Sequence, residues 1–418
     1  MMQKHTKKAL IIGGGIGGPA LALFLKRAGI EAEIYEAREK PEGYSLIMAS
    51  NGMQVLHELE LDHAVFVEGS AVSDAVTITG RGRNLGEIVI AASGQKSVFI
   101  KRVPLGLILT DEAERQGIKI TRGKRLQNIA VTAQGGVVAT FQDGTSASGD
   151  LLIGCDGVHS RTRQYVDPTF PGAVYSGLIN SGGYTSGMKL SSPPETCYFV
   201  FCKRAFFGYH VNPTTGYVYW WTNWPHEREP ARGEFDHFTD AQIRQEMLSK
   251  YAGELPIIRE IIQQADETFP YFLSYTLPRQ PSTWHRGPVA LLGDAAHAIS
   301  PSSGQGASMA LEDAIVLAKC LRDIPDLESA FATYEHLRRE RTTRIYQVGL
   351  NGDKGKHMVQ PFQVWLRDLI TPFMLKLFAN EKASRWVYSY QIDWDEKVEA
   401  AVPAANAQAN REEVHATG

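Results

Sequence analysis

The stretch from Val289 to Ala314, VALLGDAAHAISPSSGQGASMALEDA, constrains the fold more than any other part of this 418-residue chain. A short apolar run leads to a turn at Gly293-Asp294, a loop containing Pro301, and a helix that begins after 304–306. The helix buries one face, because apolar residues recur three or four positions apart: Ala307, Leu311, Ala314, Ala318 and Leu321. Unpaired amides at a helix start favour an anion or an electron-rich carbonyl. The stretch therefore predicts either a ligand-binding loop or an ordinary strand-loop-helix joint.

A second glycine-rich loop follows a predicted strand at 9–12. GGGIGG has the GxGxxG spacing, a helix is predicted from Pro19 to Ala28, and a second strand ends at Glu36, eighteen residues after Gly18. In a dinucleotide site the first glycine makes the turn, the second admits a pyrophosphate, the third lets helix and strand pack, and the acid binds ribose hydroxyls. The residues predicted to bind the dinucleotide are Gly13, Gly15, Ile16, Gly18, Glu36, Ala37 and Arg38. Arg38 either reaches a phosphate or the ring beyond it, or is a solvated surface arginine.

Two further segments place polar groups where predicted elements begin or end. Arg102 begins the helix RVPLGLIL and faces either the ligand cleft or a surface salt bridge. Asp156 follows the predicted strand 151–153 within GCDGVHSRTR, where it places a carboxylate beside a bare glycine backbone.

The middle of the chain, about 174–275, predicts an antiparallel sheet, because aromatic and β-branched runs alternate with turns. A hairpin is also predicted around Gly80–Arg83. The sheet's aromatic residues must be shared between two faces, and we expect one face to line a pocket for an apolar or aromatic molecule. The candidates for contacting that molecule are Phe207, Tyr209 and Trp221, although core packing also explains such residues.

The C-terminal part predicts one helix from Leu327 to Gly349 and another over 362–390, interrupted at Pro372. The second helix is either a brace across the domains, which we favour, or a helix at a membrane surface. The polar, alanine-rich residues 400–418 predict a disordered tail.

Composition limits the partners. A formal charge of −3 with 21% charged residues gives no reason to expect nucleic acid or an anionic membrane. The four cysteines include no CxxC pair and no cluster at metal-ligand spacing, which favours a cytoplasmic protein without a metal site. The basic N-terminus precedes an apolar run that is split by glycines and lacks a cleavage pattern, so we interpret it as structure rather than a signal peptide. We expect no membrane span and no obligate protein partner.

Three motifs in this order, GGGIGG with Glu36, GCDGVHSRTR and GDAAHAISPSSGQGASMALEDA, resemble those of the single-component, class A flavoprotein monooxygenases of the p-hydroxybenzoate hydroxylase fold. Arg102 in RxxLxxxL matches a fourth. The resemblance is nearest to the tetracycline-inactivating and antibiotic-tailoring enzymes, since no thioredoxin-like domain follows. Two positions depart from the group's pattern: Cys155, where alanine is common, and Ser45, where glycine is frequent.

The resemblance implies an α/β fold with a Rossmann-like FAD-binding domain, an antiparallel-sheet substrate domain and a C-terminal bridging helix. The implied FAD-binding domain comprises 1–70, 100–173 and 276–350; the substrate domain comprises 71–99 and 174–275; residues 351–398 form a helical brace and 399–418 the tail.

The resemblance also assigns roles to residues. Glu36 would bind the adenosine ribose, Arg102 the phosphate or ribityl side, Asp156 the cofactor cleft and Asp294 the ribityl chain. The loop beside the flavin ring would comprise Pro301, Gly304, Gln305, Gly306 and Ala307. No catalytic side chain is required, because the oxidant would be a flavin hydroperoxide formed from FAD, O2 and NADPH or NADH. The substrate would be an aromatic or polyketide-like small molecule, and we interpret His297 as loop structure rather than as a general base.

Three other functions share parts of this pattern. A reductase or dehydrogenase of the same fold would transfer no oxygen. A flavin halogenase would require a WxWxIP segment, which the stretch Trp221–Pro225 does not provide. A non-enzymatic flavoprotein would have no use for so complete a cofactor cleft.

Overall fold

The computed structural model describes residues 7–190 and 192–401. Within these ranges the strands are β1 Lys8–Ile12, β2 Glu31–Tyr35, β3 Ser45–Met48, β4 Ser70–Val72, β5 Asp74–Thr79, β6 Asn84–Val89, β7 Ser97–Lys101, β8 Lys119–Thr121, β9 Leu126–Val131, β10 Val137–Phe141, β11 Ser146–Gly149, β12 Leu151–Gly154, β13 Val174–Thr185, β14 Thr196–Phe201, β15 Phe206–Val211, β16 Val218–Pro225, β17 Glu267–Thr268, β18 Phe272–Thr276, β19 His285–Arg286 and β20 Val289–Leu291.

The α-helices of the same ranges are α1 Gly17–Arg27, α2 Ser50–Glu58, α3 Asp62–Glu68, α4 Arg102–Arg115, α5 Arg161–Val166, α6 Asp240–Lys250, α7 Pro256–Gln263, α8 Asp294–His297, α9 Gly306–Asp323, α10 Leu327–His357, α11 Pro361–Phe378 and α12 Glu381–Tyr388. A short 3-10 helix, Pro301–Ser303, lies between α8 and α9.

The first sheet has the strand order β19-β20-β12-β1-β2-β8. Strands β20, β12, β1, β2 and β8 run parallel, so their carboxyl ends meet at one edge. The apolar runs predicted from the sequence form these strands, and Leu10, Ile11 and Ile153 are fully buried. Ligands of such sheets bind at the carboxyl ends of the strands, which here are the positions of the glycine loop and of Gly293-Asp294.

The large sheet has the strand order β17-β13-β16-β15-β14-β5-β6, with β18 also paired to β13. The strand pairs within 174–275 are antiparallel, as predicted, whereas β14 and β5 run parallel. β5 and β6 form the predicted hairpin around Gly80–Arg83. One face of the sheet is covered by α6 and α7 in a buried apolar cluster that includes Met247 and Ile261. We call the opposite face, which carries Phe199, Tyr219 and Trp221, the inner face.

Several predicted boundaries differ from the structure. The helix expected to end at Gly349 continues to His357, because its glycines pack against neighbouring elements instead of ending it. The predicted domain limit at 350/351 lies inside α10, and the predicted limit at 99/100 lies inside β7. Within the predicted tail, Ala401 donates its backbone N–H to Thr333 Oγ1 at 3.0 Å, whereas residues 402–418 lie outside the described ranges.

The predicted brace is divided between two helices. α11 packs along β6, an edge strand of the large sheet, and the carbonyl oxygen of Ala379, just after α11, accepts from Val89 N at 3.4 Å. α12 instead approaches α2 and α10, where Trp386 O accepts from Arg341. No helix in the described part of the chain is long and apolar enough to cross a membrane.

Candidate active site

The glycines of the N-terminal loop divide into two kinds. A Cβ on Gly13 would overlap the Cys155 carbonyl, and a Cβ on Gly18 would overlap the Gly13 carbonyl, so both positions serve close packing. Gly13 also has a φ of +115°, which favours glycine. A Cβ on Gly15 would meet no atom within 4 Å, so the bare backbone of this residue faces open space at the start of α1. The loop therefore leaves room for a ligand at its second glycine.

Glu36 shapes this loop directly. Its Oε2 accepts from Gly14 N at 2.6 Å and its Oε1 accepts from Arg38 N at 2.7 Å. The Arg38 side chain is 59% exposed and pairs with Glu42 at 3.2 Å, which matches the surface alternative more closely than the phosphate-binding one. Ala37 is half-buried and Ile16 is buried beside them.

Strand β3 links this region to the large sheet. Ser45 Oγ lies 2.9 Å from the Tyr184 hydroxyl on β13, and at the other end of the strand Met48 Sδ accepts from Ser308 Oγ on α9 at 3.6 Å. The serine that departs from the group's pattern thus joins two sheets. Arg102 is exposed at the start of α4, and its side chain occupies the space where a Cβ on Gly43 would lie.

Asp156 is engaged within its own segment. Its Oδ1 accepts from Ser160 Oγ at 2.5 Å, and its Oδ2 accepts from the backbone N–H groups of Arg161 at 2.9 Å and Thr162 at 3.0 Å. The carboxylate thus satisfies the first amides of α5. Arg163, which sequence reasoning passed over, is 2% exposed and donates to Ala295 O at 3.0 Å, so α5 is tied to α8.

The loop from Gly293 to Ala307 presents an open side and a fixed side. The Asp294 side chain is exposed, and hypothetical Cβ atoms at Gly304 and Gly306 have no neighbour within 4 Å. Gly304 has a φ of +64°, whereas Gly306 begins α9 without a positive φ. Gln305, between them, is 1% exposed. The open glycine backbones make a surface on which a flat group can lie.

A buried ion network, which the sequence analysis did not predict, holds the fixed side. Glu312 and Asp313 of α9 and Arg338 of α10 are fully buried, and Arg338 bonds both acids at 2.7 Å. Arg341 also binds Glu312 at 2.8 Å. Asn51 of α2 donates to Glu312 Oε1 at 2.7 Å and to Gln305 Oε1 at 2.9 Å. An adjacent acidic pair inside an apolar helix, followed by an arginine-rich helix, was the sequence pattern that pointed to this network.

The network also fastens the beginning of the loop. Asp313 Oδ2 accepts from Gly293 N at 3.0 Å and lies 2.5 Å from His297 Nε2. Burial disfavours the charged form of Asp313, but His297 and Arg338 outweigh it and hold its pKa at about 2. Burial likewise opposes the charge of Arg338, yet Glu312 and Asp313 raise its pKa above the ordinary value. His297 therefore stabilises the loop.

The strand alternation of the large sheet separates the three predicted substrate residues. Phe207 is fully buried and Tyr209 is 9% exposed, and both pack in the cluster beneath α6 and α7. Their position favours core packing, the alternative that the sequence analysis left open, over contact with substrate, because the period of two places them on the covered face. Trp221 is half-buried on the inner face, with its ring centroid 5.4 Å from that of Phe99 and 6.0 Å from that of Phe199.

The end of α10 connects the loop to the inner face. Hypothetical Cβ atoms on Gly349 and Gly352 would lie 3.3 and 3.0 Å from the Cβ atoms of Ser300 and Ser302, and one on Gly355 would lie 3.6 Å from the Phe201 ring. Asp353, from the same turns, accepts from Ser300 Oγ at 2.7 Å and Ser302 Oγ at 2.5 Å. Small residues thus let α10 approach the loop closely.

Open glycine backbones occur at two places that follow strands of the first sheet, at Gly15 and at 304–306, and the exposed residues Asp294 and Arg102 begin α8 and α4. Unfilled space beside glycine backbones and helix starts suits a pyrophosphate and a flat ring.

Comparison with known proteins agrees with this geometry. The family described as FAD binding domain matches residues 6–348. An FAD-dependent urate hydroxylase from Klebsiella pneumoniae is 30% identical over 377 residues, which span 87% of this chain and 94% of the relative. The crystal structure of Klebsiella pneumoniae HpxO complexed with FAD and uric acid has a TM-score of 0.77 and 26% identity, covering 89% of this chain and 94% of that chain. Tetracycline destructase Tet(55), at 21% identity, covers 94% of this chain and 100% of its own, and its TM-score of 0.69 shows a shared fold.

Proposed function

The chain belongs to the FAD binding domain family and is an FAD-dependent monooxygenase, and from this premise we propose that it hydroxylates a planar aromatic or heteroaromatic small molecule with NADPH or NADH as reductant. The overall reaction consumes one O2 and one reduced nicotinamide cofactor; one oxygen atom enters the substrate and the other leaves as water. The similarity to a urate hydroxylase supports a small, flat, oxygen-bearing substrate.

The inner face of the large sheet carries this proposal. Trp221 and Phe199 are half-buried there, and Phe99 stacks beside Trp221. Aromatic rings with an uncovered face favour a flat apolar ligand, with offset or edge-to-face contacts. Since β3 connects this face to α9, the ligand would lie next to the loop 301–306.

Each cofactor role rests on a specific feature of the cleft. We assign the adenosine ribose to Glu36, which already fixes the Gly14 amide, and the pyrophosphate to the open backbone at Gly15. Asp294 and Arg102 are both exposed at the cleft and suit the ribityl and phosphate groups. The amides from Gly304 to Ala307 would lie along the flavin ring.

Bound FAD supplies the redox chemistry, taking electrons from the nicotinamide cofactor and using O2 to oxygenate the substrate. The protein binds and orients FAD and the substrate, and it shields them. His297 has its Nε2 committed to Asp313, so it is unsuited to abstract a substrate proton. Amides at the start of α9 would favour negative charge on a neighbouring ring, and they are held in place before the reaction by the buried network.

Two features support the choice of reductant and location. The sequence contains no second dinucleotide fingerprint, which favours a nicotinamide cofactor that docks transiently. The four cysteines, Cys155, Cys197, Cys202 and Cys320, are free thiols, as expected in the cytoplasm.

The test uses the purified FAD-loaded enzyme and a panel of purines, hydroxypyridines, phenols and polyketides. We expect at least one compound to stimulate both NAD(P)H and O2 consumption and to gain one 18O atom from 18O2. Stimulated NAD(P)H oxidation with an altered product that contains no 18O would instead identify a reductase or dehydrogenase.

A matched pair of tryptophan variants tests the substrate face. Trp221→Ala should raise KM for the active compound at unchanged FAD content, because a ring that contacts substrate is lost. Trp365→Ala, at a 59% exposed position on α11, should leave KM unchanged. Equal KM values for the parent and Trp221→Ala would contradict the assignment of the inner face as the substrate site.

A further inference from the structure

Helix α11 exposes an unusually apolar surface. Of the large hydrophobic side chains that are exposed in the described part of the chain, more than half lie on this one helix: Phe362, Trp365, Leu369, Ile370, Phe373, Met374, Leu377 and Phe378. Phe362 is 69% exposed, and Phe373 and Phe378 are each 65% exposed. Contiguous patches of this kind mark surfaces that contact a partner or a membrane.

The opposite side of α11 fastens the helix to the large sheet. Arg367, 7% exposed, donates to the carbonyl oxygen of Cys202 at 3.2 Å and pairs with Asp368 at 2.8 Å. Leu375 packs against Gly86 of β6, where a Cβ would lie 3.2 Å away. The helix covers an edge strand with this side, so its apolar face remains turned outward.

A cationic groove of about 390 Å³ runs along one flank of the apolar face, between α11 and the β5–β6 turn. Trp365 and Leu369 line one wall, and the exposed side chains of Arg81, Arg83 and Lys203 line the other.

The two acids of the groove are already engaged. Glu254 is 9% exposed and accepts from the backbone N–H of Lys203 at 3.0 Å, and Asp368 is paired with Arg367. Arg83 donates one N–H to the carbonyl oxygen of Asp368 at 2.7 Å and keeps its other guanidinium donors. The cations therefore remain the groups available to a ligand, and the groove is complementary to anions.

Lys376 distinguishes between two possible partners of the apolar face, a second copy of the chain and a membrane surface. It follows Phe373 by three residues and Leu369 by seven, so it lies on their side of the helix, and its side chain is exposed. In an interface with a second copy this ammonium would be desolvated among apolar side chains. At a membrane surface its long stem extends to the phosphates while the neighbouring rings enter the acyl boundary.

We propose that α11 is a membrane-interface helix, which docks the enzyme on an anionic phospholipid bilayer by inserting its apolar face while Arg81, Arg83 and Lys203 bind lipid phosphates. This contact lies on the surface of a membrane and departs from our expectation that no membrane is a partner. Aromatic residues and flanking cations are the groups that hold such helices at the interface.

Flotation of the FAD-loaded full-length enzyme with vesicles tests the proposal. Vesicles of equal parts phosphatidylcholine and phosphatidylglycerol should carry the protein to the top of the gradient, and pure phosphatidylcholine vesicles should carry much less. The double variant W365E/F373E should lower the bound fraction at least tenfold while keeping FAD. Val67→Glu, at a 68% exposed position on α3, is the matched control and should bind like the parent.

The cations are tested separately. R83E/K203E should lose the preference for anionic vesicles, whereas Arg125→Glu, at an exposed position next to β9, should retain it. A parent enzyme that floats with neither vesicle, or a W365E/F373E variant that floats as well as the parent, overturns the proposal. A dimer that W365E/F373E dissociates, without vesicle binding by the parent, would identify a second copy as the occupant and also overturn it.

Discussion

At the scale of single residues, Glu36 combines ligand contact with loop geometry. Glu36→Ala removes the acceptor of the Gly14 and Arg38 amides together with the proposed ribose contact. Because hydrogen bonds to a charged group contribute about 1.5–3 kcal/mol, FAD should bind at least tenfold more weakly. Titration of the apoenzyme by flavin fluorescence measures this. Glu42→Ala, which removes only an exposed partner of Arg38, is the control, and equal affinities for the two variants would contradict the assignment.

Substitutions at Gly306 should change the contact with the cofactor without changing the packing of the protein. The hypothetical Cβ of Gly306 meets no protein atom within 4 Å and the φ of this residue is not positive, so neither packing nor the backbone dihedral requires glycine at this position. Gly306→Ala and Gly306→Val should therefore change the free energy of unfolding of the apoenzyme by less than about 1 kcal/mol. FAD affinity and midpoint potential should fall progressively with side-chain size, because the added group would meet the flavin. If the FAD affinity and the midpoint potential of Gly306→Val equal those of the parent, the loop does not hold the ring.

The substrate residues show where sequence reasoning stops at this scale. Alternation along β15 places Phe207 and Tyr209 on the same face of the sheet. Alternation along β16 places Trp220 and Trp221 on different faces. Both faces carry aromatic residues, so hydrophobicity alone does not tell which one helices cover. That choice depends on the packing of α6 and α7, which follow β16 and whose position the strand pattern does not encode.

At the scale of elements, the α9–α10 contact depends on charges that have no access to water. Arg338→Met leaves Glu312 and Asp313 with fewer partners and should lower the free energy of unfolding by about 3–5 kcal/mol, as expected when one member of a buried pair is removed. The adjacent Arg339, 33% exposed and paired with Glu335, is the control, and Arg339→Met should cost about 1 kcal/mol or less. Urea unfolding of both variants measures the difference. Similar losses would mean that the network does not hold the two helices together.

The elements that could be predicted are those whose patterns are local. The strand, glycine loop and helix at 8–27 follow from apolar runs and GxGxxG, and the β5–β6 hairpin follows from its turn. The length of α10 could not be predicted, since a glycine usually favours the end of a helix. Gly349 instead lies within α10, because Ser300 packs closely against it. The acidic pair of α9 and the arginines of α10 indicate ion pairs between these two helices, but no local pattern reveals that Asn51, about 290 positions before Arg341, joins them.

At the scale of the whole molecule, we expect Asp313 to contribute to the acid limit of the fold. Its folded pKa of about 2 lies below the ordinary 3.8. A depressed pKa contributes stability that is complete above pH 3.8 and is lost as the pH falls to about 2. The loss amounts to roughly 2–3 kcal/mol at about 1.4 kcal/mol per pKa unit.

Substitution of one partner tests this acid limit. His297→Asn removes a group that lowers the pKa of Asp313, so acid unfolding followed by far-UV circular dichroism should move to higher pH. His285→Asn, which removes a partner 3.8 Å from Glu335, should not move it. An unchanged acid transition in His297→Asn would show that Asp313 does not set the limit.

The order of strands in the first sheet has a consequence for synthesis on the ribosome. β1 is made first, but its neighbour β12 follows only at residue 151, β20 at 289, and the helix start at Gly306 later still. At about 5–20 residues per second, roughly 15–60 s separate the first glycine loop from the last. During that interval the nascent chain has only half of its cofactor cradle, and its early apolar strands lack their partners. We expect the complete FAD cradle to form only after Gly306 has been synthesised. Flavin supply after that point, together with chaperone protection before it, should therefore determine how much active enzyme a cell obtains.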